Sequence, residues 1–171
     1  TGTISVTGGN NRIKTHSLEE TTFAFQAPAI IENGDLSLSN VKIIPHGEGD
    51  YWVMGYKSRL DLGGSEASLV WFNITGPTAV FRRGVLNLWE NQTYTLGGIV
   101  LGWGATVCMY NGSKLDLGGY GLLLPVVLEG SATIGNGRLN GALAVNEGKT
   151  LTLCGDLDGN NTITLGDGAT L

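Results

Sequence analysis

Four tryptophans, Trp52, Trp71, Trp89 and Trp103, follow one another at spacings of 19, 18 and 14 residues. If the chain winds with a period near those spacings, the rings stack along one face and offer flat plates to sugar rings, with Tyr56, Tyr94 and Tyr110 beside them. The competing role is core filling, because an aromatic side chain buries about 150–250 Å² and dominates packing. The apolar neighbours in Trp71-Phe72 and Trp52-Val53 suit that second role.

A second cluster is Asp156-Leu-Asp158-Gly-Asn160-Asn-Thr162, which carries oxygen ligands at alternating positions, as a loop wrapping calcium requires. Ile163 and Asp167 fall where an EF-hand-like loop has its apolar residue and its last carboxylate, but Asn161 stands where that loop needs glycine. A plain Asp/Gly/Asn turn between strands explains the same residues without a metal.

Asp61 and Asp116 hold equivalent places in the repeated phrase Leu-Asp-Leu-Gly-Gly, a candidate carboxylate pair for acid–base chemistry. Strand alternation makes them outward polar residues, and Ser37, Asn87 and Thr152 take that place in related phrases. His16 and His46 lie in unpatterned segments and suggest neither a metal site nor a nucleophile–base set. Gly118-Gly119-Tyr120-Gly121 lacks the Lys-Ser/Thr of a phosphate loop, so no cofactor is expected. Four sequons, at Asn73, Asn91, Asn111 and Asn160, permit glycosylation at turn positions.

The elements that position these residues are strands. Leu-x-Leu recurs at Leu36-Ser-Leu38, Leu60-Asp-Leu62, Leu86-Asn-Leu88, Leu115-Asp-Leu117 and Leu151-Thr-Leu153, with a weaker member at Ile134 and a truncated one at Leu171. Such alternation turns each Leu inward and each polar neighbour outward. Similar turns precede three of them, Gly112-Ser-Lys-Leu115, Gly148-Lys-Thr-Leu151 and Gly168-Ala-Thr-Leu171, while Lys57-Ser-Arg-Leu60 differs in lacking Gly. The anchors are spaced 24, 26, 29, 19, 17 and 20 residues apart. So much glycine argues against helix, where each costs about 1 kcal/mol. The exception is the capping-box form Ser17-Leu-Glu-Glu20, for which a charged loop is the alternative.

These features predict an all-β chain, a parallel β-helix of six to seven irregular coils over residues 36–171, preceded by a cap or linking segment over 1–35. A β-sandwich of hairpins is the alternative. Cys108 and Cys154, two to three coils apart, would stand outside disulfide reach.

Charged residues make up 15% of the chain against an average near 25%, and Gly takes 28 of 171 positions. The net charge of -5, with no basic run longer than Arg82-Arg83, excludes the electrostatic footprint of a nucleic-acid binder. No apolar run approaches the ~20 residues of a membrane-spanning helix. The opening Thr-Gly-Thr-Ile has no Met or apolar leader, so a secretion signal is expected to have been removed or to lie outside the sequence.

Lys-Leu-Asp-Leu-Gly-Gly, Gly-Lys-Thr-Leu-Thr-Leu and Thr-Ile-Thr-Leu-Gly-Asp-Gly-Ala-Thr-Leu, between Gly112 and Leu171, resemble the passenger β-helices of bacterial autotransporter adhesins and related surface solenoids. The resemblance implies a right-handed parallel β-helix on a cell surface or in a secreted filament. The expected function is structural and not enzymatic: an extracellular protein that self-assembles into a filament, sheath or surface layer, or forms an adhesin shaft. Thr170-Leu171, apolar and without a polar cap, is the expected assembly end. The alternatives are an adhesin module binding surface glycans through the Trp ladder and a polysaccharide-degrading β-helix enzyme.

Overall fold

A computed structural model of the chain describes residues 4–14, 21–25 and 29–171. All strand pairings between its elements are parallel. The chain is a β-solenoid of about seven turns. Parallel neighbours cannot be joined by tight hairpins, so the sandwich alternative is excluded. Among the described residues the helical element is one 3-10 turn, Leu69–Trp71. Residues 15–20, which contain the capping-box motif and His16, lie outside the described residues; Thr21–Phe25, directly after them, is a strand.

Side chains stack in columns, one residue per coil. Leu36 lies beside Leu60, and Leu60 beside Phe81. On another face Tyr94, Leu115, Ile134 and Leu153 follow in register. On a third, Ala67, Leu86, Val107, Val126, Leu143 and Ile163 do so. This resolves the irregular anchors: Leu60 and Leu86 belong to different faces, as do Leu86 and Leu115, so the intervals of 26 and 29 are not coil lengths. Leu151 pairs with Ala132, and it is Leu153 that pairs with Ile134. True coil offsets range from 25, Gly9 to Gly34, through 21, Thr78 to Ile99, to 17, Val126 to Leu143.

Gly9–Lys14 pairs residue for residue with Gly34–Ser39, and Ser5–Val6 pairs with Ile30 and Ile31, so the described residues before 36 stand in the same parallel ladders as those after it.

The inward row is dry. Leu36, Leu60, Phe81, Leu86, Leu115, Val126, Ile134 and Val145 are all buried, and complete burial of each such side chain is worth about 1.5–3 kcal/mol. Larger rings fill the earlier, wider coils: Phe25 meets Trp52 at 4.9 Å between centroids, and Phe72 meets Phe81 edge-on at 5.0 Å.

Candidate functional site

The tryptophans do not form one ladder. Trp52 occupies an inward position of the strand Trp52–Met54 and is 1% exposed, and Trp71 is half-buried against the core. Trp89, at a corner, stacks on Tyr110 of the next coil with centroids 4.6 Å apart. Trp103 points outward from a different ladder, 63% exposed, with the Arg82 guanidinium 5.4 Å from its ring centre. Because coil length changes and the four residues fall at different points of the coil, near-regular sequence spacing does not place them on one face.

The calcium reading is also corrected. Asp156 and Asp158 belong to the strand Leu151–Asp158, Asp156 at a bulge and Asp158 paired with Arg138, so they do not form a loop that wraps an ion. Asp158 instead accepts from Arg138, Nε to Oδ1 at 3.0 Å and Nη2 to Oδ2 at 3.2 Å. The guanidinium holds that carboxyl below its ordinary range. The Asn160 N–H donates to Asn140 Oδ1 at 3.2 Å. Among the described residues no three His, Cys, Asp or Glu side chains converge as metal ligands.

Asp61 and Asp116 serve equivalent turns. The Gly63 N–H donates to Asp61 Oδ1 at 3.0 Å, and the Gly118 N–H to Asp116 Oδ1 at 2.8 Å. Both turns then close through a second glycine, Gly64 N–H to the Arg83 carbonyl and Gly119 N–H to the Asn136 carbonyl. Positive φ at Gly63, Gly64, Gly118 and Gly119 explains why Leu-Asp-Leu is followed by two glycines. The next coil adds Arg83, ion-paired to Asp61 at 2.6 Å, or Asn136, donating to Asp116 at 3.2 Å.

The sequon asparagines Asn73, Asn91, Asn111 and Asn160 are all exposed. Cys108 and Cys154 are free thiols; burial pushes the Cys108 thiol up, and the carboxylates of Glu129 and Glu66 push in the same direction. Thr170 bridges to Thr150, and Leu171 beyond it is 61% exposed.

Sequence spacing missed an open groove of about 890 Å³ on the solenoid's outer wall. Its apolar lining is Ile99, Leu101 and Leu123, with the half-exposed Tyr120 ring beside them. Its polar lining includes Thr78, Arg138, Asn140, Asp156 and Asp158. Five successive coils contribute: Thr78 is in register with Ile99, Val100 with Leu122, Gly121 with Arg138, and Arg138 with Asp158. A register shift between Gly135 and Gly137 sets two residues of the facing strand, Gly155 and Asp156, opposite the single Asn136. The one sequence signal for the groove was the 20-residue interval from Arg138 to Asp158, a coil length. A smaller hollow lies around His46, Tyr51 and Trp71.

Fold and surface together define a parallel β-solenoid with an outward groove. Comparison with protein-family models, curated proteins and solved structures finds no match for this chain.

Proposed function

We propose that the chain is an extracellular structural solenoid, a stiff element that works mechanically and not by catalysis, in a filament, sheath, surface layer or adhesin shaft. The observation that carries this is the unbroken column of inward side chains, Leu86, Val107, Val126 and Leu143, each buried between the coils on either side of it. Leu153, Ile163 and Leu165 continue the columns of Ile134, Leu143 and Val145. Those three predecessors are buried, whereas Leu153, Ile163 and Leu165 are 44%, 37% and 45% exposed. Among the described residues the strands Leu151–Asp158 and Ile163–Leu165 each pair with one neighbouring strand, which makes them sheet edges. In the proposed assembly a second copy packs on this apolar row and extends the rod.

Two further features support a mechanical role. The repeated aspartates are engaged in holding turns. The low charge content reduces the desolvation cost when coils or subunits come together.

Light scattering and negative-stain microscopy of the 171-residue chain test the assembly. Mass should rise with concentration and rods should lengthen end to end. A strictly monomeric species at high concentration counts against self-assembly.

A further inference from the structure

The outer groove combines two kinds of surface in one place. Ile99, Leu123 and Tyr120 are 38%, 39% and 41% exposed. Large apolar groups left this open beside a polar rim form a surface suited to a ligand that is apolar on one side and hydroxylated on another. The rim supplies planar groups with several donors or acceptors each: the Arg138 guanidinium, the Asp158 and Asp156 carboxylates, and the Asn140 amide.

We infer that this groove binds an uncharged oligosaccharide, with the C–H faces of its rings against Tyr120 and Leu123 and its hydroxyls on Arg138, Asp158 and Asn140. Charge selects within the carbohydrate class. Arg138 contributes one positive charge against the two carboxylates of Asp156 and Asp158, in a chain of net charge -5. The guanidinium is already paired with Asp158, so the groove disfavours uronic-acid or sulfated chains.

A peptide strand fits less well. Strand addition draws its affinity from unpaired main-chain groups at a sheet edge. Away from the edge strand Leu151–Asp158, the floor is a sheet face whose strands are already paired with both neighbours: the strand Ile99–Met109, for example, pairs with Thr78–Leu88 on one side and Gly121–Leu122 on the other. The recognition elements left are side chains, and these match hydroxyls and ring faces.

Neutral hexasaccharides of glucose, mannose, galactose and N-acetylglucosamine, with a galacturonic acid hexamer and a pool of random peptides, are the probes. Isothermal titration against the intact chain reads affinity. At least one neutral hexasaccharide should bind and the galacturonic acid hexamer should not. Tyr120→Ala and Arg138→Gln should each weaken the neutral sugar at least fivefold with circular dichroism unchanged, and both side chains are exposed enough to change without disturbing the core. Trp89→Ala, at a corner outside the groove, should leave affinity unchanged. The inference is overturned if no neutral sugar binds, if the acidic hexamer or peptides bind instead, if affinity survives both groove variants, or if only Trp89→Ala removes it. Self-association is read separately by scattering, so failure of either proposal leaves the other standing.

Discussion

Gly112, Gly148 and Gly168 open equivalent turns, with φ of 73°, 67° and 68°, and Asn91 and Lys57 adopt the same left-handed backbone at 59° and 52°. At Gly148 a Cβ would meet nothing within 4 Å, so substitution there tests backbone strain alone. An L-residue in this region costs about 1–2 kcal/mol, while replacing glycine recovers about 0.4–1 kcal/mol through the unfolded chain. The strain wins. Gly148→Ala should therefore lose roughly 0.5–1 kcal/mol in urea denaturation, and Gly148→Asn should lose less, since Asn91 already occupies this conformation.

Tyr94 offers a pH test at the same scale. Its phenol is mostly buried and donates to the Phe72 carbonyl at 2.6 Å, and burial pushes its ionisation above the ordinary range. A raised folded-state value means that the contribution to stability is complete below the unfolded tyrosine pKa of about 10. It is lost as pH rises from there through the folded-state value. Denaturation midpoints between pH 8 and 11 should show an alkaline decline that is smaller in Tyr94→Phe. At neutral pH that variant should cost about 1 kcal/mol for the missing hydrogen bond.

At the scale of elements, the Leu-Asp-Leu-Gly-Gly turn is a unit repeated at Leu60 and Leu115. Asp116→Ala removes acceptors from the Gly118 N–H and the Asn136 amide and should cost about 1 kcal/mol. Asp116→Asn keeps an oxygen facing Gly118 and should stay near wild type. Thermal melts of the two variants distinguish a turn cap from a charge requirement. The Arg83 pair makes Asp61 differ, but Arg83 is well exposed, so the ion pair itself adds little to stability.

The Leu-x-Leu phrases and their turns were legible because alternation and left-handed glycine are local properties of the chain. Coil boundaries were less so. Matching Leu60 with Leu86 compared two faces of one coil stack, since both faces demand the same inward leucine pattern. The wide early coils, which fill with Trp52 and Phe81 in place of leucine, hid their own repeat.

For the whole molecule, the proposed self-assembly predicts that the exposed row Leu153, Ile163 and Leu165 takes part in association. Leu165→Lys and Leu153→Lys place charge where the proposed next coil would sit. Each should lower the association seen by light scattering at least tenfold while leaving the strand signal in circular dichroism, because both positions are already about half exposed. Variants that associate as wild type would show that contact occurs elsewhere.

The sequence by itself determined the strand period, the turns and the solenoid class, because each depends on residues within a few positions of one another. Only the tertiary structure decided which coils stand side by side. Stacking on changing coil lengths buried Trp52 in the core and left Trp103 on the outer wall. It also paired Arg138 with Asp158 and assembled Thr78, Ile99, Tyr120 and Asn140 into one groove. The spacing of tryptophans along the chain could not reveal that site, since a side chain's place on the wall depends on the cumulative length of every coil before it.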